Sequence, residues 1–254
     1  MLRLLAAGIV ALIAVIGYCG NKEENPVTGE EQRIALSADQ EVALGLQAAP
    51  RLARQYGGPE PDGRAQARLD LVGERLVART EAAASPYPFE FHVLDADETL
   101  NAFALPGGQV FITDGLLDRL ETEDQLAAVV AHEVAHVLAR HGAEHLAKQQ
   151  LVQGLAGATA IATYDPDRPG SAATGAIAAA IGQLATMKFS REDELEADDL
   201  GVRFMVAAGY DPGAMLEVLR ILSGSPTGVP EFFSTHPSPD DRSERIRDAI
   251  ARHR

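Results

Sequence analysis

His132-Glu133-Val134-Ala135-His136 lies in a stretch, Thr122 to about Gln150, where helix signals run almost unbroken, and it is flanked by apolar Val129, Val130 and Leu138. Residues four apart on an α-helix are separated by about 40° around the axis, so both imidazoles face one side and can reach one metal ion. Glu133, turned by about 100° from His132, stays off that ion yet close enough to touch a water bound to it. A zinc hydrolase needs this geometry: the metal polarises water and a scissile carbonyl, while the carboxylate takes the water's proton and later passes it to the leaving amine. With seven histidines in the chain, a chance HExxH is expected on the order of a per cent of the time. Placement inside a predicted helix lowers that further.

Two histidines leave the site incomplete. The stretch Ser190-Arg191-Glu192-Asp193-Glu194-Leu195-Glu196-Ala197-Asp198 offers the missing ligand. Glu194 and Asp198 are four apart and face the same way, so one can bind zinc while the other accepts the second ring N–H of a ligating histidine. Glu192, Asp193, Glu196 and Asp199 compete for the role. Taken alone, an acidic run of this kind reads as a solvated helix face.

The 254 residues, 46% hydrophobic and 23% charged, suffice for one well-buried domain or two small ones. A formal net charge of −15 with no basic stripe excludes nucleic acid as a natural partner. The single cysteine, Cys19, rules out an intramolecular disulfide and a cysteine-built metal site, so any metal is held by nitrogen and oxygen.

Residues 1–19 have the layout of an export signal: Arg3, an apolar run from Leu4 to about Ile16, then small residues and Cys19. The run is shorter than the roughly 20 apolar residues of a comfortable bilayer span. Ile16-Gly17-Tyr18-Cys19 also resembles a bacterial lipoprotein box, with Tyr18 where a small residue is the pattern. The polar segment 20–33, with Pro26 and Gly29, predicts a tether, and folding is expected to begin near Ile34.

Beyond it, Ser37-x-x-Gln40 is a capping box for one helix, and a second follows the break at 57–63. Phe89 to Leu94 alternates as a strand, and Asn101 to Ile112 is extended, with a hairpin turn at Pro106-Gly107-Gly108. The Ala/Gly-rich segment 154–182, with a loop at Asp165 to Gly170, reads either as two small-residue helices or as a lid. Ser190 caps a helix ending at Gly209, Asp211-Pro212 starts the next, and Ser238-Pro239-Asp240-Asp241 the last.

HExxH followed some sixty residues on by Ser190-Arg191-x-x-Glu194-x-x-Ala197-Asp198 resembles the M48 family of zinc metallopeptidases, in particular its small bacterial periplasmic lipoproteins. The similarity extends from Asn25-Pro-Val-Thr-Gly29 through Asn101 to Gly108, the helix at 123–145, and Ser234-Thr235-His236-Pro237. The resemblance implies a mainly helical α+β, zincin-like domain over 34–254, one zinc ion per chain, Glu194 as third ligand, and Asp198 as the residue supporting a ligating histidine. It also brings in His236, which on its own reads as a surface residue beside a proline, and Arg242, six residues on. Both are expected to stabilise the tetrahedral oxyanion; alternatively His236 occupies zinc's open position in a resting enzyme. Asn101-Ala102-Phe103 resembles the family's edge strand, whose backbone would hold an extended peptide, so these side chains are expected to tolerate substitution. On a continuous helix His141 and His145 lie about 180° and 220° round from His132 and are expected on an exposed face. His92 and His253 have no ligand context.

Together these expectations describe a zinc endopeptidase acting on misfolded or envelope proteins in a bacterial periplasm, held to the membrane by its N-terminal signal or a lipidated Cys19. Two alternatives stay open: a zinc-containing, chaperone-like binding module with a gated, weakly active site, and a zinc hydrolase acting on a non-protein acyl bond.

Overall fold

The computed structural model describes residues 2–163, 176–184, 186–224, 230–237 and 241–253. It is mainly helical around a small sheet. In chain order the elements are α1 (Leu2–Gly20), β1 (Lys22–Glu24), β2 (Glu31–Arg33), α2 (Ala38–Gln55), α3 (Gly63–Arg79), β3 (Glu90–Leu94), β4 (Ala102–Leu105) and β5 (Gln109–Thr113). There follow α4 (Asp114–Leu117), α5 (Glu123–Leu138), α6 (His141–Thr163), α7 (Ala176–Leu184), α8 (Arg191–Ala208), α9 (Ala214–Ser223), α10 (Phe232–Thr235) and α11 (Arg242–His253).

The HExxH helix, α5, is the axis of the domain. The Thr122 hydroxyl caps it by accepting from the Gln125 N–H, and every residue from Gln125 to Leu138 is buried. A helix apolar on nearly all sides has to be covered all round. Helices α3, α8 and α9 and strand β4 do so, with Leu69, Leu76, Leu126, Phe204, Val218 and Ile246 in one continuous core. Burial of each large apolar side chain such as Phe204 contributes roughly 1.5–3 kcal/mol. Close approach of α8 to α5 depends on Gly201, where a Cβ would lie 3.4 Å from the His132 nitrogen and 2.9 Å from Met215 Cε.

The main sheet has the order β3-β5-β4, with β3 parallel and β4 antiparallel to β5. Strand β4 is therefore an edge. The turn between β4 and β5 is the predicted Pro106-Gly107-Gly108; Gly107 sits at φ 86° with Val42 Cα only 2.4 Å from where a Cβ would be. Helix α7 covers the same flank, with Ile181 and Leu184 packed among Leu52, Phe103, Leu105 and Phe111.

Three expectations change. The helix predicted from Thr122 to Gln150 breaks: α5 stops at Leu138, Arg140 takes φ 58°, and α6 starts afresh at His141. A non-glycine residue holds this conformation when its surroundings impose it. Here the Arg140 guanidinium is tied to the Leu36 carbonyl (3.0 Å), to Glu41 (Nε 2.9 Å) and to Glu23. The segment 20–33 is not the tether its polarity predicts. Strands β1 and β2 pair as a hairpin, and its buried amides feed the open end of α5: Asn25 donates to the Leu138 carbonyl at 2.9 Å and Gln32 to that of Ala139. The last carbonyls of a helix lack intrahelical donors, which explains buried polar side chains here. Finally, Asp211 caps a turn before α9 by accepting from the Gly213 N–H at 3.0 Å, and the helix itself begins at Ala214.

The predicted loop at Asp165 to Gly170 and the predicted start at Ser238-Pro239-Asp240 lie outside the described residues. The Ala/Gly-rich segment contributes helix on both sides of that loop, in α6 and α7. Helix α1 packs on α6 with Ala14 against Gly154, leaving Leu4, Leu5, Leu12, Ile13 and Ile16 exposed. Among the described residues no helix is long and apolar enough to cross a membrane.

Candidate active site

Helix α5 directs His132 and His136 to one side, as their spacing predicts, with the two Nε2 atoms 3.1 Å apart. Helix α8 starts with a capping box: Ser190 Oγ accepts from the Asp193 N–H at 3.1 Å and Asp193 Oδ2 accepts from the Ser190 N–H at 2.7 Å. That start fixes the rotation of α8, and Glu194, fully buried in its first turn, reaches both histidines. Its Oε2 lies 3.5 Å from His132 Nε2 and its Oε1 3.4 Å from His136 Nε2. At the end of α10, His236 adds Nδ1 at 2.9 Å from Glu194 Oε1 and 3.4 Å from His132 Nε2, its ring stacked on Phe232.

A tetrahedral ion with bonds of roughly 2.0–2.1 Å separates its ligand atoms by about 3.3 Å. Separations of 2.9 to 3.5 Å, close to that figure, run from the three imidazoles to one or other oxygen of Glu194 and from His132 to the other two rings, and His132, His136, Glu194 and His236 are all buried. Nitrogen and carboxylate oxygen suit zinc among the common divalent ions. Glu133 stands beside this group, fully buried, with neither carboxylate oxygen hydrogen-bonded and Oε1 3.6 Å from His236 Nε2.

The surroundings set the charges. Burial pushes the Glu133 carboxyl up. Burial pushes Glu194 up too, but the imidazoles of His236, His132 and His136 outweigh it and hold that carboxyl well below its ordinary range. Burial pulls His132 down, yet hydrogen bonds to Asp198 and Glu194 outweigh that and raise it to about 9. His136 lies well below the usual histidine value, with burial the principal cause and Glu194 opposing it.

Asp198 is where the sequence puts it, with Oδ1 3.0 Å from His132 Nδ1. Arg242 is not. It is 3% exposed, donates from Nε and Nη2 to the two oxygens of Asp198 at 2.7 and 2.9 Å, and brings Nη1 to 3.2 Å from Glu194 Oε2. Two of its nitrogens are committed to Asp198, while Nη1 lies buried beside Glu194 without a hydrogen bond. The side chain neutralises the acidic side of the site from behind.

His141 and His145 are corrected as well. Because the chain turns at Arg140, His141 folds back under the site with 1% exposure: its Nδ1 is 2.8 Å from His136 Nδ1 and its Nε2 2.8 Å from Glu196 Oε2. His145 bonds Asp193 at 2.7 Å. Phe189, also unanticipated, stacks on His136 at 4.0 Å between centroids. No helix-ending glycine marks the break that makes these contacts, since Arg140 takes the left-handed conformation and Gly142 lies inside α6.

Along β4 runs a narrow cleft bordered by Tyr56, Phe103, Leu105, Met187, Phe189 and His236. Asn101 and Phe103 thus line a cleft that also reaches His236. The tolerance of Asn101, Ala102 and Phe103 to substitution does not follow. Asn101 donates to Tyr56 Oη at 3.1 Å, Ala102 is fully buried, and Phe103 stacks on Phe111.

Peptidase family M48 matches residues 64–250. The beta-barrel assembly-enhancing protease of Yersinia pestis is 32% identical over 87% of this chain and 46% of its own length, and that of Escherichia coli (strain K12) 31% identical over 94% and 49%. The mitochondrial metalloendopeptidase OMA1 of Schizosaccharomyces pombe is 33% identical over 94% of this chain and 70% of its own length. The chain spans about half the length of the two bacterial relatives. With that match, and with the HExxH helix, Glu194 and the edge strand disposed as described, the chain belongs to peptidase family M48.

Proposed function

We propose that the protein is a zinc-dependent endopeptidase in which His132, His136 and Glu194 hold one zinc ion. The observation that carries the reading is the cluster of four buried nitrogen and carboxylate donors with the Glu133 carboxylate, not hydrogen-bonded, beside them. When bound, zinc polarises the scissile carbonyl and makes water acidic enough to be deprotonated near neutral pH. Glu133, raised by burial, takes that proton and returns it to the leaving amine. An extended peptide pairs with the free edge of β4 and so presents its carbonyl to the site. His236 Nδ1, 2.9 Å from Glu194, sits at the fourth donor position. There it would either serve as a further ligand in the resting enzyme or give the oxyanion a ring N–H donor. Asp198 fixes the His132 ring, and Arg242 offsets the charge of the carboxylates.

The substrates proposed are misfolded or envelope proteins; the two bacterial relatives are named beta-barrel assembly-enhancing proteases. For location we propose the periplasm, reached through residues 1–19 and tied to a membrane there or at the exposed Cys19.

Zinc content and casein cleavage of wild type, Glu133→Gln and a chelator-treated sample test the reading. It expects about one zinc in both intact proteins and cleavage by wild type alone. Equal cleavage by Glu133→Gln would remove Glu133 from the chemistry. Zinc without cleavage would move the reading to a gated binding module, and a chain that binds no zinc would end the site assignment.

A further inference from the structure

The contact between His136 and His141 places two ring nitrogens 2.8 Å apart, so one carries a proton and the other accepts it. The far end of His141 decides which. Its Nε2 faces Glu196 Oε2 at 2.8 Å, and an ionised carboxylate only accepts, so the proton of a neutral His141 is on Nε2. Its Nδ1 is then bare and accepts, and His136 must donate from its own Nδ1. That leaves the lone pair of His136 Nε2 aimed at Glu194 and His132, as a metal ligand requires.

We infer that His141 is a positioning residue for the metal site: with Glu196 it fixes the tautomer and ring orientation of His136. The inference rests on the reading of His136 as a zinc ligand. His132 has the corresponding support directly, from Asp198. Helix α8 therefore steadies both histidines, one through the Asp198 carboxylate and the other through Glu196 with His141 interposed. Interposition is needed because α5 ends at Leu138 and the left-handed Arg140 brings the next helix back beneath His136. Burying an imidazole to 1% exposure is costly unless both nitrogens are bonded, and here both are. His145, one turn further on, makes a similar bond to Asp193 but touches neither histidine of the HExxH motif.

The test uses the full chain and two readouts: the zinc dissociation constant by chelator competition, and the imidazole tautomers of the metal-free protein by proton–nitrogen NMR. The expected wild-type tautomer of His136 carries its proton on Nδ1. His141→Leu should weaken zinc binding about 10–100-fold, the usual cost of losing such a partner, and should mix the His136 tautomers. His141→Asn places an amide oxygen where Nδ1 accepts and should restore most of the affinity. His145→Asn should change neither readout. A His136 proton on Nε2 in wild type, or His141→Leu with unchanged affinity and tautomer, would overturn the inference. Should wild type bind no zinc, the proposed function fails, while the tautomer still reads the His136–His141 bond on its own.

Discussion

Replacing Arg242 by Met separates two roles that the same residue could play. Its guanidinium is 3% exposed and makes two bonds to Asp198, itself 2% exposed, plus a third contact to the fully buried Glu194. Methionine keeps the volume roughly but leaves Asp198 with His132 alone and Glu194 with the three imidazoles. Removing one partner of a buried ion pair typically costs about 3–5 kcal/mol, because the other charge remains desolvated. In a domain of this size each kcal/mol lowers the melting temperature by roughly 2–4 °C, so the metal-free variant should melt roughly 6–20 °C below wild type. Saturating zinc supplies positive charge on the same carboxylates and should narrow the gap. Arg242→Lys should recover part of the loss, since an ammonium cannot make the paired bonds of a guanidinium. Thermal and urea unfolding with and without zinc measure these quantities. An Arg242→Met protein that melts like wild type and loses only kcat would refute the argument and return Arg242 to the oxyanion.

Three further outcomes follow from the same geometry. Glu133→Gln should retain zinc and lose about 10²–10⁴ in kcat, the usual share of positioned acid–base catalysis, as read in peptide-cleavage rates at saturating metal. His132 in the metal-free protein is raised to about 9 and so carries a proton at neutral pH; binding zinc must displace it, so the apparent affinity should rise roughly tenfold per pH unit up to about 9. Calorimetry in buffers of different ionisation enthalpy should show about one proton released, and a value of zero would sink this. Asn25→Ala removes the donor at the Leu138 carbonyl and should destabilise the chain by about 1–3 kcal/mol in urea unfolding, whereas a free tether would show no change.

Much of the architecture is legible locally because local chemistry determines it. The boxes at Ser37 and Ser190 need only a hydroxyl and a side chain three residues on, and both form. The β4–β5 turn needs two residues at positive φ, and Gly107-Gly108 stands there. The pairing of His132 with His136 follows from helical pitch alone. What escaped prediction depends on partners far along the chain. Arg140 is a residue with no local preference for a left-handed conformation, and it is held there by Glu41 and Leu36, roughly a hundred residues earlier. The break in turn creates the contact of His141 with His136, so the angular argument that sends His141 to the surface fails at its premise of a continuous helix. Asn25 and Gln32 read as tether because polar residues near a terminus usually are; their burial is intelligible only once the open carbonyls of α5 are known to lie against them.

The same dependence explains why the acidic run at 190–199 could not be resolved by composition. Its residues divide by face. Glu194 and Asp198 turn toward α5, where His132 and His136, joined by Arg242 from α11, offset their charge. Asp193 and Glu196 turn toward the start of α6 and meet His145 and His141, while Asp199 reaches Arg252 and His253 on α11. A run that would be a solvated face in isolation is here a helix whose successive sides each meet a different set of bases. For this chain the arrangement of histidines and arginines on α5, α6 and α11 therefore decides the role of each carboxylate. Moving one base, as the left-handed Arg140 moves His141, gives Glu196 a function that its position in the motif does not announce.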